Sequence, residues 1–496
     1  MSNKVKTAYL VLGQTIITLI TFVLAPYLSR KLSLHEYGTF VQVVMIYDFM
    51  SVLIALGLTQ ILYVFFEKYL QDIGSLLVTF IFIQITAACI GSVILYGFSF
   101  YAGGLFGEPL LNEYIRLYLP NIFFGNLINL FGLALVYFNR HRPYVATIII
   151  SNLLKLIIVL LLDRGGMLSI KNILLAYMTM NFLCLISLFF FIPLHLPRFS
   201  FSFAKAKDIV KRSLPLWVTA ILGSSYTYIA GMLISTYLSS SQFAIYRNGS
   251  FEIPLLGSLY ISVSMVFLPQ INRMALQNEL DKVVAIKRRI IGNTISLTYP
   301  IIFFFLFFHY EFITLYLSDK YAASATIFLI INILLLLRFQ DYNDVLIAFN
   351  KGFYVMMANI VFFISNATLN IILIHFYGYI GSAIATAGSA LILSILLIRK
   401  TLKVLHASVI DFFDVKLFVK VILSVILILL LMKFIFSIWL ISKLMLFLVI
   451  LPLYILIVYT FFLKFKIVSI EYFENYIKAI PIIGRALSTF AKKIIG

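Results

Sequence analysis

Residues 334–344 read Leu-Leu-Leu-Leu-Arg-Phe-Gln-Asp-Tyr-Asn-Asp and place Arg338, Asp341 and Asp344 inside an apolar run from Ala325 to Phe349. An α-helix turns by about 100° per residue, so positions i, i+3 and i+6 share a sector of about 120°. Charged side chains at membrane depth are costly when they face hydrocarbon, and they usually turn toward a polar interior. The stretch therefore predicts a membrane-spanning helix with one charged face. That face either lines a substrate or ion path or holds an internal ion pair.

The composition of the whole chain is that of a polytopic membrane protein. Hydrophobic residues make up 62% of the 496 residues and the mean hydropathy is +1.06, whereas soluble domains contain about 45–50% apolar residues. The formal net charge of +19 is typical of basic cytoplasmic loops that face anionic membrane lipids, so no nucleic-acid partner is expected. Cys89 and Cys184 lie in separate apolar runs and support neither a disulfide nor a metal site.

Apolar runs of about 20 residues, the length that crosses a bilayer, recur along the chain and predict fourteen transmembrane helices in an all-α fold. The predicted spans are 7–29, 38–65, 73–101, 113–138, 144–162, 172–194, 213–238, 244–270, 291–317, 324–348, 354–377, 379–398, 415–436 and 442–463. With a cytoplasmic N-terminus, roughly 25 Lys and Arg residues fall in inner loops and fewer than about 10 in outer loops. Both termini are therefore expected in the cytoplasm. The outer loops are short, which counts against an extracytoplasmic catalytic domain.

The chain contains an internal repeat. Residues 28–38 align without a gap to residues 234–244, and residues 138–145 align to residues 349–355 with one residue of slippage. The matched pairs of the first block are Ser29/Ser235, Leu32/Leu238, Ser33/Ser239, Tyr37/Phe243 and Gly38/Ala244. The offset covers six predicted helices, an even number, so the two halves should have the same orientation about an axis along the membrane normal. This predicts two parallel six-helix lobes followed by two extra helices.

The repeat duplicates the scaffold but not its charges. Lys155, Arg247 and Arg338 each align with uncharged residues of the other half. An unduplicated cation in a duplicated scaffold suggests a chemical purpose, so we expect these three side chains to face a cavity, although each could instead reach the interface or pair within the bundle. The acidic residues expected at the same site are Asp341, Asp344, Glu252 and Asp48.

Three motifs resemble those of a known family. They are Arg-x-Leu-Ser-x-x-x-Tyr-Gly at residues 30–38, Ser-Asn-x-x-x-Asn at residues 365–370 and Tyr-Gly-Tyr-Ile-Gly-Ser-Ala-Ile-Ala-Thr-Ala-Gly at residues 377–388. In these motifs the chain resembles the polysaccharide repeat-unit flippases, of O-antigen and capsule type, within the multidrug/oligosaccharidyl-lipid/polysaccharide exporter superfamily. The resemblance covers roughly residues 1–463. Many members carry a charged residue in the seventh helix near the position where this chain has Ala230 and Gly231.

The resemblance implies a transporter rather than an enzyme. Two lobes would form a V around a central cavity and pass an undecaprenyl-pyrophosphate-linked oligosaccharide across the bacterial cytoplasmic membrane by alternating access, with cationic side chains binding the pyrophosphate. The implied organisation is an N-terminal lobe (1–200), a second lobe (201–404), two extra helices (405–465) and an amphipathic cytoplasmic tail (466–496).

No nucleotide-binding loop or metal-ligand spacing is found in the sequence, so no cofactor is expected, and an ion gradient or consumption of the substrate outside would drive transport. The expected partners are the lipid-linked glycan, membrane lipids and other polysaccharide-assembly proteins of the membrane, with the protein itself a monomer. The alternatives are a flippase for a lipid-linked peptidoglycan precursor, an ion-coupled multidrug exporter of the same superfamily and a membrane polysaccharide polymerase.

Overall fold

The computed structural model describes residues 3–193, 200–254, 256–337, 343–439, 442–465 and 467, and every regular element within them is helical. The helices up to residue 249 are α1 (Asn3–Lys31), α2 (Leu34–Ile54), α3 (Leu58–Lys68), α4 (Ile73–Phe98), α5 (Ala102–Leu105), α6 (Leu110–Tyr118), α7 (Asn121–Tyr137), α8 (His141–Arg164), α9 (Ile170–Phe190), α10 (Phe203–Tyr237) and α11 (Ser240–Gly249). The later helices are α12 (Leu256–Leu276), α13 (Leu280–Phe307), α14 (His309–Tyr316), α15 (Ser324–Ile333), α16 (Asn343–Ala348), α17 (Gly352–Leu405), α18 (Val409–Phe412), α19 (Val415–Trp439), α20 (Lys443–Met445) and α21 (Leu451–Lys464).

The described residues pack into two units. The first is built from residues 1–247 and 374–379, and the second from residues 248–373 and 380–496. A packing unit need not coincide with a sequence repeat, so the lobes expected at 1–200 and 201–404 stay predictions. The amphipathic tail expected at 466–496 lies outside the described residues, apart from Ile467.

Aromatic packing forms much of the core of the first unit. The Phe66 ring meets Phe80 edge-on and Tyr137 edge-on, and stacks against Phe138. Phe66 and Phe80 are fully buried. These contacts fasten α3 to α4 and to the C-terminal end of α7. The residues of this core come from α3, α4, α7, α9 and α10.

Nine helical segments of the described residues are long and apolar enough to cross a membrane, and eleven if two bent helix pairs each count as one span. This establishes a multi-span, all-helical membrane protein, while the number fourteen stays a prediction. One bent pair is α6 and α7, which meet at 40° around Pro120, where the sequence predicted an unbroken span over 113–138. Proline lacks the N–H that a continuous helix would need at this point.

The long helix α17 is a hairpin. Gly378 has φ of +57° and ψ of −141°, a backbone conformation available to glycine, at the turn predicted for residues 377–379. Beyond the turn the chain runs back along itself, because Asn366 donates to the Ser389 hydroxyl (3.0 Å) and the Ser382 hydroxyl donates to Asn370 Oδ1 (2.6 Å). All four polar side chains are fully buried. The turn predicted between the spans 354–377 and 379–398 is confirmed.

The prediction of a continuous span over 244–270 is wrong. Helix α11 ends at Gly249, and α12 begins at Leu256. In the intervening segment the Ile253 N–H donates to Asn332 Oδ1 (2.9 Å), and Asn332 Nδ2 donates to the Phe251 carbonyl (3.1 Å). The buried amide of Asn332 thus satisfies backbone groups that a helix would otherwise pair internally.

The prediction of one regular helix over 324–348 is also wrong for the part of that range that the structure describes. Helix α15 ends at Ile333, a 3₁₀ turn covers Leu334–Leu336, and α16 begins at Asn343. The Tyr299 hydroxyl donates to the Leu336 carbonyl (2.6 Å). A distant side chain therefore binds a backbone carbonyl group of the 3₁₀ turn.

Local geometry agrees with the repeat alignment at two places. Ser33 and Glu36 form a reciprocal capping box at the start of α2, and Ser239 and Gln242 make the same pair of bonds at the start of α11. Asn139 and Asn350 follow α7 and α16 with left-handed φ values of +60° and +56°. The N–H of the next residue donates to the carbonyl five residues back at 2.7 Å in both copies. Helix boundaries are thus shared by the two halves.

Candidate functional site

The candidate site in the first unit is centred on Lys155, near the middle of α8. Its ammonium group donates to Asn181 Oδ1 on α9 (2.7 Å) and lies 5.8 Å from the centre of the Tyr177 ring, one helical turn earlier on α9. Asn181 Nδ2 in turn donates to Asn121 Oδ1 at the start of α7 (2.8 Å). The Tyr47 hydroxyl of α2 donates to the Asn121 backbone carbonyl (2.6 Å). Four helices therefore meet at one chain of polar groups.

The charge of Lys155 is not balanced by a neighbouring carboxylate. Its polar and ring partners in the described part of the chain are the amide of Asn181 and the face of Tyr177, both electrically neutral. The side chain is half-buried. An ammonium group held by neutral partners retains its net charge and its remaining N–H donors, so it can bind an anion.

Asp48 and Arg247, in the same unit, are a pair of opposite charges. Asp48 is half-buried on α2, whereas Arg247 is exposed near the C-terminal end of α11. Their charges interact across the two helices. The structure therefore brings together two of the predicted site residues, with opposite charges. Glu252 is exposed in the non-helical segment after α11.

Asp344 is neutralised by a partner that the sequence analysis missed. The Lys287 ammonium on α13 lies 2.7 Å from Asp344 Oδ2 on α16, and the two residues are only 1% and 4% exposed. The sequence analysis placed Lys287 in a loop because the ninth span was expected to begin at 291. The four-residue spacing of Val283, Lys287 and Ile291, the first and last fully buried, was the signal that Lys287 lies on the buried face of a helix.

Arg338 and Asp341 lie outside the described residues. Their predicted place on one face with Asp344 stays a prediction. Of the seven charged residues predicted for the site, the structure thus places five: Lys155, Asp48, Arg247, Glu252 and Asp344.

A third polar cluster joins the starts of α2 and α11. Gly38 has no side chain, and the Ser240 carbonyl fills the space that a side chain would take. The Ser240 hydroxyl lies 3.2 Å from Gln42 Oε1 and 3.3 Å from Glu108 Oε2, and His35 Nε2 lies 2.6 Å from the same Glu108 oxygen. The sequence analysis named none of these polar contacts, because their partners come from three separate segments.

Within the described part of the chain, no group of three His, Cys, Asp or Glu side chains is arranged to hold a metal ion. The groups gathered at Lys155 are a cation, two amides and an aromatic ring. These are groups that bind phosphate oxygens and sugar rings.

Comparison with solved structures identifies the fold. The lipid II flippase MurJ superposes with a TM-score of 0.72 at 16% identity, covering 94% of this chain and 100% of that chain. A multidrug resistance MATE family transporter of the MOP superfamily, in an inward-facing conformation, gives a TM-score of 0.59 at 11% identity over 81% of this chain and 98% of its own. The Vibrio cholerae MATE transporter VcmN gives 0.52 at 15% identity over 82% and 97%.

A search of curated protein sequences finds no match to the chain. A family profile described as "Polysaccharide biosynthesis protein" matches residues 27–326, which is more than half of the sequence. The fold is that of MOP-superfamily transporters, as the motifs of the sequence indicated. The chain therefore belongs to the polysaccharide biosynthesis protein family.

Proposed function

We propose that this protein flips undecaprenyl-pyrophosphate-linked oligosaccharide repeat units across the bacterial cytoplasmic membrane for the assembly of a surface polysaccharide such as O-antigen. The observation that carries the proposal is the unbalanced positive charge of Lys155 among neutral amides and tyrosines. A pyrophosphate brings anionic oxygens that need such a cation in a site partly shielded from water. Membership of a polysaccharide biosynthesis family supports a glycan as the remainder of the substrate.

Transport in this proposal is non-enzymatic and proceeds by alternating access between two lobes, while the polyprenyl chain stays in lipid. Arg247 and Arg338 would join Lys155 in binding the anionic head group, and Asp48, Glu252 and Asp341 would tune the charge of the path. Asp344, whose charge Lys287 balances, would hold α16 against α13. An ion gradient or consumption of the product outside the membrane would give the direction. The protein acts as a monomer among membrane lipids and other polysaccharide-assembly proteins.

The test uses purified protein in liposomes that contain a fluorescent undecaprenyl-pyrophosphate oligosaccharide, with the transbilayer distribution followed over time. Lys155→Gln should reduce the initial rate about tenfold or more, because a charge-assisted bond contributes about 1.5–3 kcal/mol. Lys171→Gln is the matched control, since Lys171 lies at the exposed start of α9 and should transport like the wild type. Equal rates for all three proteins would refute the role of Lys155.

The same liposomes separate the alternatives. A lipid-linked peptidoglycan precursor or a cationic dye replaces the oligosaccharide lipid, and preferential transport of either one would favour the corresponding precursor flippase or multidrug exporter. Formation of a longer glycan without transport would favour a polymerase. The proposal requires that the oligosaccharide lipid moves fastest and leaves chemically unchanged.

The proposed orientation places both termini in the cytoplasm of the inner membrane, on the strength of the loop charges. Reporter fusions test it residue by residue. Fusions expected to report cytoplasm follow Arg142, Lys207, Arg289 and Lys403, and fusions expected to report the outside follow Gly104, Gly166 and Ser240. Two or more fusions on the wrong side would overturn the orientation.

A further inference from the structure

The hydrogen bonds that run from Lys155 to Asn121 have a direction that chemistry fixes. A lysine ammonium group only donates, so the Asn181 atom that faces Lys155 is the carbonyl oxygen. The NH₂ group of Asn181 must then face Asn121, whose carbonyl oxygen accepts from it. The amide orientation of both asparagines follows from the lysine.

At both ends of this series of hydrogen bonds, the described residues leave N–H groups for which they offer no acceptor. Lys155 uses one of its N–H groups on Asn181, and its other neighbour is the Tyr177 ring. At the far end, the NH₂ group of Asn121 is buried, and it has no hydrogen-bond partner among the residues that the structure describes. The nearby Tyr47 hydroxyl donates to the Asn121 backbone carbonyl, not to its side chain. A buried donor without an acceptor is costly.

The buried pair in the second unit gives the contrast. Lys287 has a carboxylate, Asp344, at 2.7 Å and both are almost fully buried. Beside the Lys155 ammonium group lies an amide oxygen, that of Asn181, also at 2.7 Å. An amide holds the ammonium group in place without cancelling its charge, whereas a carboxylate would cancel it.

We infer that Asn181 and Asn121 complete, with Lys155, a binding site for an anion that only accepts hydrogen bonds, the diphosphate group of a lipid carrier. Asn181 holds the Lys155 ammonium, and the free NH₂ of Asn121 supplies a second donor. Phosphate oxygens accept hydrogen bonds and carry negative charge, so they match the donors at both ends. A cationic ligand would repel Lys155. This inference rests on the proposed function for the choice of diphosphate.

The decisive variant is Asn181→Asp, which keeps the shape of the side chain and replaces the amide with a carboxylate. The new carboxylate would form an ion pair with Lys155 and neutralise the charge that would otherwise bind the anion. The variant should unfold at the same temperature as the wild type or higher, while its affinity for the anion falls. If Asn181 had only a structural role, a variant as stable as the wild type would bind the anion with unchanged affinity.

The full-length protein in lipid nanodiscs is titrated with undecaprenyl pyrophosphate, and separately with inorganic pyrophosphate, against undecaprenol as the uncharged probe. Asn181→Asp should weaken binding of both diphosphates about tenfold or more, a change of about 1.4 kcal/mol, and leave undecaprenol binding unchanged. Asn172→Asp is the control. It adds the same charge to the same helix, α9, but near the exposed start of that helix. It should bind both diphosphates like the wild type.

A second variant keeps the inference testable if Asn181→Asp fails to fold. Asn121→Leu removes the NH₂ group of Asn121 together with the oxygen that accepts from Asn181. The folded variant should bind both diphosphates more weakly and bind undecaprenol like the wild type. Wild-type affinity in either folded variant, or no diphosphate binding by the wild type, overturns the inference. A wild type that binds diphosphate through Asn181 but does not flip the oligosaccharide lipid would instead refute the proposed function alone.

Discussion

The buried pair of Lys287 and Asp344 gives the sharpest stability prediction. The two side chains lie 2.7 Å apart and are nearly inaccessible to solvent, and Asp344 Oδ1 also accepts the Val345 N–H. Replacing Lys287 with Met removes the ammonium group that lies against the buried Asp344 carboxylate. Loss of one partner of a buried ion pair costs about 3–5 kcal/mol, whereas replacing both with apolar residues is often neutral or stabilising.

For a packing unit of about 250 residues, 1 kcal/mol shifts Tm by about 2 °C. Lys287→Met and Asp344→Leu should therefore each melt about 6–10 °C below the wild type, and the double variant should recover most of that loss. Tm is measured by differential scanning calorimetry of the protein in detergent. In cells, the amount of each variant in the membrane should follow the same order as its Tm.

A control pair sets the scale of the effect. Lys443 and Asp319 also form an ion pair at 3.1 Å, but their side chains are 39% and 84% exposed. Lys443→Met should change stability by less than about 1 kcal/mol. The reasoning is refuted if the Lys287 variant melts like the Lys443 variant, or if the double variant is as unstable as the sum of the two single ones.

Two further predictions concern single contacts. Gly38→Ala should destabilise the protein by about 1–3 kcal/mol in a thermal melt, because the new Cβ would overlap the Ser240 backbone carbonyl. Gly97→Ala meets no atom within 4 Å and should be neutral, so equal effects of the two variants would contradict the packing argument. Hydrogen bonds from the Ser408 hydroxyl and N–H hold the pKa of Asp411 below its usual range. As pH is lowered, this capping box should therefore stay intact through the usual Asp pKa. It should be lost only when pH falls through the lowered pKa of Asp411. Carboxyl-carbon NMR titration checks this, and a midpoint at or above the ordinary Asp value would be the contrary result.

Most helical segments and the hairpin turn at Gly378 were predictable from the sequence, because they depend on properties of neighbouring residues. Apolar runs of membrane-spanning length need internal hydrogen bonds and therefore form helices. A glycine between two such runs marks a turn that needs an unusual backbone conformation. These signals are local, and the structure places helices where they occur.

The two interrupted spans could not be predicted in the same way. Their breaks depend on the buried amide of Asn332 and the hydroxyl of Tyr299, which lie about 80 and 40 residues away in sequence from the backbone groups they bind. The partner of Asp344 is likewise 57 residues away. At the candidate site, the charge of Lys155 was visible in the sequence. Its neutral environment of Asn181 and Tyr177 was not, because it arises from the packing of α8 against α9.

The matched helix ends at Asn139 and Asn350 also bear on how such a protein diversifies. A one-residue shift of a helix start rotates every later side chain by about 100° and moves it by about 1.5 Å along the axis. When both copies keep the same end points, each interior position keeps its depth and its facing direction. Substitutions in the interior of a helix, such as the lysine at 155, then change the chemistry of one copy of the repeat without changing how that helix is inserted. When the helix ends are fixed in this way, substitutions at interior positions can change which substrate the protein binds.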